Sequence, residues 1–164
     1  MKKIRNNIRR RTFLQCGSLG FLHCLLSGTA GAAEKIMDSG TGFTVWQLPP
    51  QSIRQMMSYI IQTGQDDLLV IDGGTEDDAD YLRDFLLQRG GKVEAWILTH
   101  PHIDHGGALS VILGEPDTIR INRIYASMPE EEWVKKHEAY RMEDFKKIRS
   151  ALDATQVEIM EPEP

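Results

Sequence analysis

The sequence predicts an α/β fold, a mixed sheet with flanking helices, over residues 34–164, and three observations carry that expectation. The apolar runs 58–63 and 68–72 are separated by Gly64-Gln65-Asp66-Asp67, a connection suited to a hairpin, so these strands should pair antiparallel. The second run is followed by a helical pattern and then by the apolar, β-branched run 93–99. Strand, helix and strand in about thirty residues form a βαβ unit with parallel strands and a right-handed crossover.

The chain of 164 residues starts with Lys2, Lys3, Arg5, Arg9, Arg10 and Arg11 and no acidic residue. An apolar stretch over residues 13–26 and the small residues Thr29-Ala30-Gly31-Ala32-Ala33 follow. This order predicts a cleaved export signal over residues 1–33 and a periplasmic or extracellular product. The apolar stretch is too short and too interrupted to serve as a stable membrane anchor. Arg10-Arg11-Thr12-Phe13-Leu14-Gln15 is similar to the twin-arginine motif, with the general export route as the alternative. The precursor has 19 Lys+Arg against 24 Asp+Glu; loss of the six basic residues leaves 13 against 24, a net charge of −11. So acidic a chain is not expected to bind nucleic acid. Cys16 and Cys24 leave with the signal, so no disulfide is expected in the mature protein.

About 130 residues remain, enough for one domain. Residues 34–42 read as a loose leader, and 43–48 as a strand stopped by Pro49-Pro50. Residues 68–72 read as a strand buried on both faces, because apolar residues run together there. After Asp72-Gly73-Gly74, Thr75-Glu76-Asp77-Asp78 opens a helix in the capping-box manner, and Ala79, Leu82, Phe85 and Leu86 set its buried face before Gly90-Gly91 ends it. The acidic cluster lacks calcium-loop spacing and is read as helix-dipole compensation. A short helix over 106–114, a strand over 121–126, one long helix over 129–154 and a strand from Gln156 complete the chain. The long helix should turn Trp133, Val134, His137, Tyr140, Phe145, Ile148 and Leu152 toward the core as one stripe, with His137 packed or partly exposed there rather than ligating a metal.

The densest chemistry lies in His100-Pro101-His102-Ile103-Asp104-His105-Gly106-Gly107, at the end of the strand over 93–99. Period-two alternation places His100, His102 and Asp104 on one side of an extended segment, with His105 next. His100 and His102 could grip one cation and Asp104 and His105 a second. Imidazole and carboxylate donors suit zinc, with iron or manganese as alternatives.

The string His100-x-His102-x-Asp104-His105-Gly106 resembles the signature of the metallo-β-lactamase superfamily. That resemblance implies the N-terminal half of an αββα sandwich, with His100 and His102 on the first of two divalent metal ions and Asp104 and His105 on the second. It implies that Asp104 also orients the nucleophile or receives a proton, and that Gly106 and Gly107 let backbone approach the metals. Asp72, at its strand end, is a candidate to hold a ligand from behind, a local turn cap being the alternative. The resemblance further implies that three family ligands lie beyond Pro164, so residues 34–164 are expected to be a truncated domain with one apolar sheet face open. The function expected is metal-dependent hydrolysis of a small molecule (ester, lactone, thioester, β-lactam or phosphoester). The alternative is a non-catalytic remnant, or a half-domain completed by a second chain.

Overall fold

A computed structural model describes residues 33–38 and 42–162; the expected export signal, apart from Ala33, and both cysteines lie outside the described residues. Among the described residues, eight strands form one sheet: β1 (Glu34–Asp38), β2 (Phe43–Gln47), β3 (Ser58–Thr63), β4 (Leu68–Asp72), β5 (Lys92–Leu98), β6 (Arg120–Ile121), β7 (Arg123–Ala126) and β8 (Glu158–Met160). The described residues also form the α-helices α1 (Ala79–Leu87), α2 (Ile103–Gly114), α3 (Glu131–His137) and α4 (Met142–Ala154). The strand order is β1-β2-β3-β4-β5-β7-β8, with β6 also pairing β5. Neighbours from β1 to β4 are antiparallel and those from β4 to β8 parallel, so the sheet is mixed as expected.

The expected hairpin joins β3 to β4, closed by Thr63 N–H donating to the Asp67 carbonyl at 2.9 Å, with Asp66 at φ +63°. The expected βαβ unit joins β4 to β5 through α1, followed by a turn at residues 88–90 with Gly90 at φ +93°, after which Gly91 N–H bonds back to the Leu86 carbonyl at 2.9 Å. The register aligns Ile60, Val70, Trp96 and Ile124 across four strands, and all four are fully buried. With Leu68 and Leu98 they form the sheet side of the core, against Leu82 and Leu86 of α1, Leu109 and Ile112 of α2, and Ile148 and Leu152 of α4. At the start of α1, Asp78 is buried yet satisfied: Thr75 N–H (2.8 Å), Thr75 Oγ1 (2.7 Å) and Gln51 N–H (2.7 Å) all donate to it. The carboxylate half of the expected capping box is therefore present.

Five expectations need correction. Residues 34–38 are a strand, not a leader: β1 pairs with β2 through backbone hydrogen bonds, for which its exposed Glu34 and Lys35 side chains are no obstacle. β4 is not buried on both faces, since Leu69 and Ile71 are only half-buried. With Tyr59, Ile61, Ile97 and Tyr125 they form an apolar sheet face that no helix among the described residues covers. The helix after the histidines starts at Ile103, so Asp104 and His105 belong to its first turn rather than to an extended segment.

The long terminal helix is two helices, α3 and α4, joined by a 3-10 turn at Ala139–Arg141; Trp133 is 49% and Tyr140 80% exposed, leaving Val134, Phe145, Ile148 and Leu152 as the buried side. Neither Gly nor Pro lies between Glu130 and Ala154, so no intrinsic breaker announces the split. Finally, the strand expected over 121–126 is two short ones, β6 and β7, parted at Asn122; Gly106 and Gly107 sit in close packing. A Cβ on Gly107 would lie 2.8 Å from Glu76 N and 2.9 Å from Thr75 Cα, and one on Gly106 would lie 2.9 Å from Ile148 Cδ1.

Candidate metal centre

The candidate site is built where parallel strands β4 and β5 end and α2 begins, the place at which open α/β sheets place their ligands. β5 delivers Thr99 and His100, and a tight turn (His102 N–H to the His100 carbonyl, 3.0 Å) swings the chain into α2 with His102 as its N-cap. The first turn of α2 is stitched to its surroundings by main-chain bonds from Gly73 N–H to the His105 carbonyl (2.7 Å), Ala108 N–H to the Gly74 carbonyl (3.0 Å) and Met57 N–H to the Asp104 carbonyl (3.2 Å). Asp104 and His105 thus ride on a helix end clamped to two loops.

Asp72 organises this clamp. It lies at φ +56°, in the left-handed region that Asp and Asn tolerate better than most residues, and is 3% exposed. Its carboxylate accepts from Thr99 N–H at 2.9 Å, from Thr99 Oγ1 at 2.9 and 3.0 Å, and from His105 Nδ1 at 2.8 Å. One carboxylate therefore ties the end of β4 to the end of β5 and to an α2 imidazole.

The hydrogen-bond inventory orients the rings. Carboxylate oxygens accept, so the Thr99 hydroxyl donates to Asp72; its oxygen is left to accept from His100 Nδ1 at 3.1 Å. His105 donates through Nδ1 to Asp72, and His102 donates through Nε2 to Glu138 Oε2 at 3.0 Å. Each imidazole thus has one nitrogen held from behind and the other left as a lone pair: Nε2 of His100 and His105, Nδ1 of His102. The rings crowd together, with centroids 4.4 Å apart for His100 and His102 and 3.8 Å apart for His100 and His105; His105 Nε2 lies 3.6 Å from Asp104 Oδ2. Burial, then the neighbouring imidazoles His105 and His102, pushes the His100 pKa below its ordinary value.

The chemistry of this donor set fits a divalent cation: neutral imidazole lone pairs and a carboxylate, each ring backed by an outer partner. Convergence is only partial. Among the described residues, no three His, Cys, Asp or Glu side chains are disposed as a group to hold one ion. The structure brings His100, His102, Asp104, His105 and Asp72 into one neighbourhood. His137 is elsewhere, stacked on Trp133 at 4.9 Å on an exposed part of α3.

Two residues with parts in this network escape the sequence reading, Thr99 and Glu138. A hydroxyl beside the first histidine was a usable signal for Thr99. Glu138, 36 residues from His102, offered none.

Beside His100 and His102 opens a cavity of about 430 Å³ walled by Pro129, Trp133, Val134 and Phe145 with Arg141 at its edge. The Arg141 guanidinium is held above its ordinary pKa, first by its bond to the Tyr140 hydroxyl and then by Asp104 and Glu138. A larger depression of about 820 Å³ lies at the opposite end of β5, beside Gly90, Lys92 and Arg120. It sits at the amino ends of the parallel strands, away from the histidines, and has no comparable cluster of donors. No helix among the described residues is long and apolar enough to cross a membrane.

A family model described as the metallo-beta-lactamase superfamily matches residues 53–162. Among solved structures, the chain is similar to a metallo-beta-lactamase of Cronobacter sakazakii with a HARLDQ motif, at 20% identity over 56% of this chain and 35% of that one, TM-score 0.41. It is also similar to TMB-1, at 20% identity over 64% of this chain and 46% of that one, TM-score 0.41. A metallo-beta-lactamase from Erythrobacter litoralis with beta mercaptoethanol in the active site shares 16% identity over 63% of this chain and 44% of that one, TM-score 0.41. The chain thus spans between about a third and a half of the length of these structures. No curated protein matches it.

Proposed function

The chain belongs to the metallo-β-lactamase superfamily, and we propose that it contributes to a metal-dependent hydrolase, exported to the periplasm or the extracellular space, that acts on a small molecule. The observation that carries this reading is the set of three crowded imidazoles, each held from behind at one nitrogen, with Asp104 Oδ2 3.6 Å from the far nitrogen of His105. His100 and His102 would hold one cation and Asp104 and His105 a second, zinc being favoured by the mix of imidazole and carboxylate. Such cations, when bound, lower the pKa of a bound water and polarise the scissile carbonyl or phosphoryl oxygen. The chain's own part is to present these donors, to orient the nucleophile or take up its proton at the Asp104 carboxylate, and to hold His105 through Asp72. Substrate is proposed only as a class: ester, lactone, thioester, β-lactam or phosphoester, with no nucleic acid.

Elemental analysis of the purified mature chain tests this. About two equivalents of zinc, reduced in His102→Ala, together with hydrolysis of a generic ester, are expected. Absence of bound metal from the parent protein would overturn the reading.

A second reading is favoured by the half-buried face of Tyr59, Ile61, Leu69, Ile71, Ile97 and Tyr125 and by the partial convergence of the donors. On this reading the chain is a half-domain whose metal site is completed by a second chain. It predicts metal uptake only in a larger assembly, measurable by light scattering coupled to metal analysis. A monomer that binds zinc would exclude it.

A further inference from the structure

The interruption between α3 and α4 has no intrinsic cause in the sequence, since neither Gly nor Pro is present and kinks usually trace to one of these or to an inserted group. It falls at Glu138, which leaves the helix at φ −138°, ψ 41°. The Glu138 side chain accepts from His102 Nε2 at 3.0 Å, and the two side chains are only 28% and 25% exposed. We propose that Glu138 is the positioning residue of His102, the carboxylate that locks its ring with Nδ1 turned outward. This rests on the reading of His102 as a cation ligand.

The geometry separates His102 from its neighbours. His100 and His105 are both held at Nδ1, through Thr99 and Asp72, so each has Nε2 on the side away from that partner. His102 is held at the other nitrogen, and no hydrogen bond to a described residue engages its Nδ1. A carboxylate behind a metal-bound imidazole fixes tautomer and ring angle and raises its donor strength. Two of the rings owe this to Asp72, one directly and one through Thr99, while His102 owes it to a residue from a different part of the chain. α3 ends at His137, Glu138 reaches His102 from the break, and α4 seats Phe145, Ile148 and Leu152 in the core.

The test compares the full chain with Glu138→Ala, Glu138→Gln and, as control, Glu132→Ala, an exposed carboxylate on α3 paired with Lys135. Two readouts are needed. In the metal-free protein at pH 8.5, long-range proton–nitrogen NMR should detect a slowly exchanging His102 Nε2 proton. It is expected to vanish in Glu138→Ala and persist in Glu138→Gln, whose amide oxygen can still accept.

Zinc affinity, measured against a chromophoric chelator, should fall about 10- to 100-fold in Glu138→Ala, less in Glu138→Gln, and stay unchanged in Glu132→Ala. An unaltered His102 proton signal, or zinc affinity within twofold of the parent in Glu138→Ala, overturns the proposal. Should the parent bind no zinc, the metal reading fails by itself, and the NMR signal still decides whether Glu138 holds the ring.

Discussion

Gly107→Ala separates the packing role of the α2 glycines from a role in admitting metals. A Cβ there would stand 2.8 Å from Glu76 N and 2.9 Å from both Thr75 C and Thr75 Cα. Carbon contacts are comfortable at about 3.5–4.0 Å, so helix or loop must move by roughly 0.6–1 Å. Neither moves freely. Thr75 is tied to Asp78, Ala108 N–H bonds the Gly74 carbonyl, and Gly73 N–H bonds the His105 carbonyl.

Overpacking costs ~1–3 kcal/mol, and contact with backbone places this case near 3. Replacing Gly by Ala inside a helix returns ~1 kcal/mol. The net loss is about 2 kcal/mol, which for a domain of this size lowers Tm by roughly 6–8 °C. Urea denaturation followed by far-UV circular dichroism measures it. Gly106→Ala should cost less, because its Cβ would meet the end of a movable side chain, Ile148 Cδ1, at 2.9 Å. Gly114→Ala, with nothing within 4 Å, should be neutral or slightly stabilising. The packing account is refuted if Gly107→Ala is as stable as the parent, or if the three substitutions rank in another order.

Two further outcomes are expected. Asp72→Asn keeps a residue tolerant of φ +56° and an oxygen for Thr99, but sets an amide against His105 Nδ1. His105 should then move its proton to Nε2, visible in its nitrogen shifts, with a stability loss of about 1–2 kcal/mol; an unchanged His105 tautomer would contradict the network described above. Because the His100 pKa is depressed in the folded state, unfolding takes up protons as the pH falls below the ordinary histidine value. The stability present above that value should therefore be lost as the pH falls below the ordinary histidine value of 6.5 in the metal-free protein, and less so in His100→Gln. Equal pH dependence for the two proteins, by urea midpoints, would count against the crowding of the rings.

The backbone-level errors of the sequence reading share one origin. Residues 34–38 carry no alternating apolar pattern because an edge strand is held by main-chain bonds to β2, and those leave no mark on side-chain choice. Periodicity points to a single helix over 129–154, and both halves obey it separately; the break falls at Glu138, whose side chain meets a histidine far away in the chain. Leu69 and Ile71 look like core residues in composition, yet burial depends on whether a layer covers that face, and local sequence holds no such information.

What the sequence determined alone was everything enforced by short-range rules: the hairpin at Gly64–Asp67, the βαβ unit, the Thr75–Asp78 start of α1 and the Gly90 turn after it, and the run of four donors from His100 to His105. Tertiary structure decided which nitrogen of each imidazole is held from behind, because the partners that choose, Asp72 and Glu138, come from strand and helix ends 33 and 36 residues away from the rings they hold. Hydrogen bonds of that span exist only once the sheet and helices have packed, so the direction in which the donors face is a property of the assembled fold.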